Sequence, residues 1–152
     1  MAITFKNTST ADAESLVAIR IRAMRESLER IGRFDLQRAR DRFLSSYDPQ
    51  NTRILFKDGN LVGFFAVKSI ENGLLLDHLY IEPEHQGQGI GAIVLAHVFA
   101  EADAKKLPLK VGALRDSKSN NFYLRHGFVK TAEEEWDIYY IRQPQENNHN
   151  QQ

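Results

Sequence analysis

One stretch limits what this chain can fold into: Leu76-Asp77-His78-Leu79-Tyr80-Ile81-Glu82-Pro83-Glu84-His85-Gln86-Gly87-Gln88-Gly89-Ile90-Gly91-Ala92. Leu76, Leu79 and Ile81 lie in an apolar run of strand length, and Pro83 ends it. Gly87, Gly89 and Gly91 then open a run from Ile90 to Ala104 that is almost wholly apolar and rich in alanine. That run predicts a helix buried on nearly all sides. A strand, a glycine loop and a helix start make a specific junction. The first turn of a helix has backbone N–H groups without internal partners, and the helix dipole adds partial positive charge there. Glycines accept positive φ and let a ligand approach the backbone without a Cβ in the way. The product is an anion site suited to a phosphate or pyrophosphate.

Two patterns fit this junction. Gly87-x-Gly89-x-x-Ala92 matches the dinucleotide fingerprint of a Rossmann unit. The loop from Ile81 to Gly87 is long for such a turn, and the chain after Gly91 stays helical until Pro108, with no βαβ unit or ribose-binding acid. The other pattern is Gln86-x-x-Gly89-x-Gly91 after a strand ending Leu-Tyr-Ile and a Glu-Pro-Glu loop. It resembles motif A of the GNAT superfamily of acyl-CoA-dependent N-acetyltransferases. Asn121-Phe122-Tyr123-Leu124-Arg125-His126-Gly127-Phe128 resembles that family's second signature, at family spacing. The resemblance runs from Met1 to Arg142. It implies an α/β (α+β) GNAT fold: a mixed central sheet of about six to seven strands with about four flanking helices. An antiparallel meander would lead into a parallel pair that splays at the acyl-CoA site.

Composition bounds the partners. A chain of 152 residues reads as one domain, 1–142, with an amide-rich polar tail, 143–152, expected to be disordered. Net charge is zero, so no nucleic-acid partner is implied. Without cysteine there is no disulfide, thiolate nucleophile or Cys-type zinc site, and no metal is implied. The start Met-Ala-Ile-Thr-Phe-Lys has no signal-peptide core, and no apolar run has membrane-spanning length. A soluble cytoplasmic protein is the expectation.

In chain order, residues 3–6 read as a strand, and Thr8-Ser9-Thr10 supplies caps for a helix from Ala11. On that helix Ala13, Leu16, Val17, Ile21, Ala23, Met24, Leu28 and Ile31 share an arc. Arg20 falls inside it and reads as a snorkelling edge residue, or else as a charge facing a cleft. Residues 34–46 read as a second helix, and 52–57, 61–69 and 74–81 as strands. Asp58-Gly59-Asn60 is a strong hairpin signal, and Asn72-Gly73 predicts a primed turn. His97 reads as a packing or edge residue rather than a ligand. Residues 107–113 read as a parallel strand, and Asp116 or Ser117 as the cap of a short helix ending at His126. Gly127 stops that helix, and residues 128–131 and 137–142 are the last strands.

The resemblance assigns roles. Backbone N–H groups of Gly87, Gln88, Gly89, Ile90, Gly91 and Ala92 would cradle the pyrophosphate of acetyl-CoA, with Gln86 shaping the loop. Backbone groups of Leu79, Tyr80 and Ile81 would seat the pantetheine arm and polarise the thioester carbonyl. Tyr123 occupies the family's general-acid position; a phenol, with reference pKa about 10, can protonate a departing thiolate. Asp116 replaces the asparagine that often precedes the family's short helix, with Asn120 and Asn121 nearby, and Asp116 and Asn120 are cofactor-binding candidates. Where some members carry a glutamate base this chain has Val111, so Asp77 and His78 are the base candidates, then Glu134 and Glu135. Water could also carry the proton. Arg115 and Lys118 lie near the expected cofactor path. The acidic run Glu133-Glu134-Glu135 with Asp137 would bias the acceptor toward cationic amines, unless it is a solvated turn.

The function implied is acetyl transfer from acetyl-CoA to a small-molecule or peptide primary amine by direct attack in a ternary complex, with a homodimer left open. The alternative is a catalytically silent acyl-CoA-binding module of the same fold.

Overall fold

The computed structural model describes residues 2–146. Seven strands form one mixed sheet in the order β1-β2-β3-β4-β5-β7-β6. They are β1 Ile3–Asn7, β2 Thr52–Lys57, β3 Asn60–Ile70, β4 Gly73–Ile81, β5 Leu109–Leu114, β6 Val129–Glu133 and β7 Asp137–Arg142. The helices are α1 Ala13–Arg30, α2 Leu36–Ser46, α3 Ile90–Lys105 and α4 Ser119–Arg125. Among the described residues β4 and β5 pair in parallel, Leu74–Leu76 against Leu109–Val111. Asp77–Ile81 of β4 take no part in that register. This is the GNAT arrangement expected, and it removes the Rossmann alternative, which needs a mostly parallel, doubly wound sheet. The polar tail expected from residue 143 lies, from Asn147 onward, outside the described residues.

The chain divides into two compact units. One holds the chain through Ala66 together with His78–Gly91; the other holds Val67–Asp77 and the chain from Ala92 onward.

In the first unit, Ser9 begins a short 3-10 turn with a capping box. Its hydroxyl accepts from Ala11 N at 3.2 Å, and Asp12 accepts from Ser9 N at 2.8 Å. The α1 residues Leu16, Val17 and Ile19 bury with Phe43 of α2, Ile54 of β2 and Phe64 of β3. Ile19, outside the expected arc, is fully buried, whereas Ile21 is half-buried. The buried stripe is rotated because α2 covers α1 on one flank. Asp58 and Gly59 both take positive φ, 51° and 85°, as a primed hairpin turn demands. At the next turn the expectation fails. Asn72 is left-handed at 61°, but Gly73 already belongs to β4. Gly73 is small for another reason: a Cβ there would lie 3.1 Å from Pro108 O.

In the second unit, α3 buries one face, not all sides. Val94, Leu95, Val98 and Ala102 are inside, while Ile93, Ala96 and His97 are exposed. Alanine is as tolerable on a solvated face as in a core, so the composition hid the polarity of the helix. The expected cap of α4 is also corrected. Lys118 is the N-cap and gives no side-chain bond, while Asp116 sits in the preceding turn at φ 67°. The buried Arg142 (6% exposed) donates to both carboxylate oxygens of Asp103, at 2.8 and 3.1 Å. Its guanidinium also lies 4.0 Å from the centroid of the Phe99 ring.

Candidate active site

The glycine loop has the conformation its sequence demands. Gly87 and Gly89 have φ of 78° and 84°, a region that penalises any side chain. A Cβ at either would meet nothing within 4 Å, so torsion rather than crowding selects glycine, and the backbone there is open to a ligand. α3 begins at Ile90, directly after the second left-handed glycine. Helix geometry leaves the amides of Ile90, Gly91 and Ala92 without intrahelical acceptors. These features fit a diphosphate-bearing cosubstrate.

Side chains inside and outside the motif hold the loop. Gln86 Nε2 donates to Ile81 O at 3.0 Å, tying the loop to the last residue of β4. Lys57 Nζ donates to Gln88 Oε1 at 2.6 Å. Glu82 N donates to Val62 O at 2.8 Å, and the Glu82 carboxylate accepts two bonds from Arg22, at 2.8 and 2.7 Å. β3 and β4 approach closely here. A Cβ on Gly63 would stand 2.3 Å from Tyr80 O. Val62 is the extra residue of a bulge, since Leu55 pairs with Gly63 and Phe56 with Leu61. A glycine inside a strand pattern was the available sequence signal for this approach. The Lys57 and Arg22 contacts had none.

The base candidates separate. Successive strand residues face opposite ways, so Asp77 and His78 cannot serve one point together. Asp77 pairs with Lys68 at 3.7 Å. His78 joins Phe43, Phe64 and Tyr80 in an aromatic group, with ring centroids 5.2, 6.1 and 5.6 Å from its own. Its Nδ1 is 3.4 Å from Tyr80 Oη. Leu79, Tyr80 and Ile81 are half-buried.

In the second unit, Tyr123 is 5% exposed and lies against Phe122, Phe128 and Tyr140, at centroid distances of 5.5, 5.3 and 6.2 Å. Asn120 braces the turn before α4. Its Nδ2 donates to Leu114 O and Ser117 O, both at 3.0 Å, and its Oδ1 accepts from Tyr140 Oη at 2.7 Å. Asp116 is exposed in that turn. Arg115 is committed elsewhere than to a phosphate: it donates to Glu134 O at 2.7 Å and Glu135 O at 3.2 Å, and pairs with Glu133 at 3.3 Å. Lys130 also pairs with Glu133, and these cations, the lysine first, hold that carboxyl below its ordinary pKa. Tyr139 donates to the Glu134 carboxylate. Glu133 and Glu134 of the acidic run are thus matched by Lys130 and Tyr139 of their own hairpin and by Arg115 from the end of β5. Among the described residues no group of three or more His, Cys, Asp or Glu could hold a metal ion, and no helix is long and apolar enough to cross a membrane.

Known structures share this architecture. The PaiA N-acetyltransferase from Thermoplasma acidophilum, solved in complex with coenzyme A, is similar at a TM-score of 0.78 and 19% identity, over 94% of this chain and 99% of that one. The ribosomal-protein-S18-alanine N-acetyltransferase from Escherichia coli is similar at 0.72 and 17% identity, over 98% of each chain. N-acetylglutamate synthase from Neisseria gonorrhoeae, complexed with coenzyme A and N-acetyl-glutamate, is similar at 0.69 and 20% identity, over 95% of this chain and 36% of that one. At such identities the likeness speaks for the fold. None of the curated proteins matches by sequence. The profile of the acetyltransferase (GNAT) domain matches residues 49–130, more than half of the chain and inclusive of both motifs. The chain therefore belongs to the GNAT acetyltransferase family.

Proposed function

We propose that this chain transfers the acetyl group of acetyl-CoA to a primary amine, by direct attack within a ternary complex. The observation that carries the reading is the loop: two left-handed glycines, open above, leading directly into α3. Amides of residues 87–92 would hold the pyrophosphate, with Gln86 and Lys57 fixing the loop. Backbone groups of Leu79, Tyr80 and Ile81 would seat the thioester, and an N–H there would stabilise the oxyanion.

The amine nitrogen attacks the acetyl carbonyl carbon. The new C–N bond forms, the C–S bond breaks, and its electron pair leaves on sulfur. Tyr123 is the acid that returns a proton to that sulfur. Asp116 lies in the turn before its helix, and Asn120, within that helix, braces the turn. The surplus amine proton goes to a base, and His78 is the best of the candidates. An imidazole, with reference pKa about 6.5, accepts protons near neutral pH, whereas Asp77 is held by Lys68 and Glu134 by Tyr139. The reading requires that the purified chain bind coenzyme A in calorimetry and release free thiol from acetyl-CoA only when an amine is supplied. Saturable binding without amine-dependent thiol release would leave an acyl-CoA-binding module instead.

A further inference from the structure

Arg20 is a buried charge without a counter-ion. It sits on α1 with only 8% of its surface exposed. Nη1 donates to the Ala39 carbonyl at 2.9 Å, and the guanidinium carbon is 5.9 Å from the centroid of the Tyr80 ring. Nε is buried with no hydrogen-bond partner. Among the described residues no carboxylate lies within ion-pairing distance of it.

Two other arginines show what this side chain takes when it is satisfied. Arg22, two residues on, presents Nε and Nη2 to both oxygens of Glu82. Arg142, equally buried, grips both oxygens of Asp103. A guanidinium cannot shed its proton to relieve burial, as a lysine can. A carbonyl and a ring face offset part of the cost, but the Nε edge still lacks an acceptor. That edge is the one that binds a planar carboxylate bidentately. Tyr80 is itself half-buried, and the half-buried His78 shares its face of β4.

We infer that the acceptor is an amine that also carries a carboxylate, and that Arg20 binds that carboxylate. The inference rests on the acetyl-transfer reading, in which Tyr80 contributes backbone to the thioester seat. A carboxylate on Arg20 would lie near the Tyr80 ring, whose centroid is 5.9 Å from the guanidinium carbon, and its amine would then be presented at the strand residue where the acetyl group is expected. Arg20 thereby determines specificity and performs no proton transfer.

The test uses the full chain, acetyl-CoA and a panel of amino acids. Each amino acid is paired with its carboxamide and with the amine lacking the carboxyl group; O-phosphoethanolamine is a further arm. The expected result is kcat/KM at least about 30-fold higher for the acid than for its carboxamide, carried mainly by KM. Arg20→Gln should reduce that ratio to near unity, Arg20→Lys should restore part of it, and coenzyme A affinity by calorimetry should not move. Equal or better turnover of the neutral or decarboxylated partners would overturn the inference, as would preference for the phosphorylated amine. Coenzyme A binding with no carboxylate-bearing amine acetylated would overturn it too. The comparison of paired substrates on the unmutated chain decides the matter even if an Arg20 variant fails to fold. Failure to bind coenzyme A would instead remove the acetyl-transfer reading beneath it.

Discussion

A Cβ on Gly63 would stand 2.3 Å from the carbonyl oxygen of Tyr80 and 3.2 Å from Ile81 Cα. Both neighbours are backbone and cannot swing aside. Gly63→Ala must therefore push the end of β4 away from β3, where Glu82 N bonds to Val62 O. The expected cost is about 1–3 kcal/mol, the usual range for overpacking. Because residues 79–81 are the proposed thioester seat, coenzyme A affinity should fall as well. Gly112→Ala is the control: its Cβ would meet only the Tyr139 ring, at 3.3 Å, and a ring edge can give. Chemical denaturation and calorimetry on both variants check this. Equal effects from the two would mean that the approach of Gly63 to Tyr80 holds nothing in place.

Lys57 and Gln88 make a second testable pair. Lys57 is half-buried as a residue, and its exposed ammonium bonds to a neutral side chain of the loop at 2.6 Å. Lys57→Met keeps the stem and removes both the bond and a positive charge beside a proposed diphosphate site. Coenzyme A affinity should drop about 3- to 10-fold, the scale of one ordinary net hydrogen bond. Affinity of the unmutated chain should fall with added salt more steeply than that of the variant. Titration at two ionic strengths measures both effects, and parallel salt dependences would argue that Lys57 only shapes the loop.

What could be read beforehand divides along a physical line. The Asp58-Gly59 hairpin and the left-handed Gly87 and Gly89 were legible because each follows from the torsional needs of neighbouring residues. The Asn72-Gly73 turn misled because Gly73 answers to Pro108, far away in the chain, rather than to its own turn. The same holds at the site. The motif predicted the loop, yet Arg22, Lys57 and Gly63, which secure it, belong to no local pattern. Arg20 was visible on the apolar arc of α1, but its burial depended on Ala39 and Tyr80 arriving from α2 and β4. The alanine-rich α3 lacked a clear period, so which face was buried had to come from the fold.

Tyr123 and His78 carry opposite proton roles in the proposal, and the variants should separate them. Tyr123→Phe keeps the ring that packs on Phe128 and Tyr140 and deletes only the hydroxyl. A general acid should then cost about 10²-fold or more in kcat with coenzyme A affinity unchanged. His78→Gln should lower kcat/KM and abolish the acid limb of its pH profile. If Tyr123→Phe leaves kcat within a few-fold, the tyrosine is a packing residue; if the acid limb survives in His78→Gln, the proton leaves by another route.

The pair Asp103–Arg142 predicts how the fold responds to acid. The Arg142 guanidinium, through its hydrogen bonds first and its charge after, holds the Asp103 carboxyl below its ordinary value, assisted by the backbone N–H of Gln145. A carboxyl whose folded pKa is depressed stabilises the fold above its unfolded pKa, about 3.9 for aspartate. That contribution disappears as pH falls from there through the lower folded value, since the unfolded chain takes up the proton first. Asp103→Asn has no such proton to bind. It should be less stable at pH 7 by about 2 kcal/mol, below the 3–5 typical of a fully buried pair because Asp103 keeps part of its surface in water. Between pH 5 and about 3 the unmutated chain should lose stability faster than the variant, so the two curves converge on the acid side. Denaturant titrations at intervals of half a pH unit measure the gap. A gap that stays constant down to pH 3 would mean the ion pair gives the fold no proton linkage, and that Arg142 is held chiefly by its contact with Phe99.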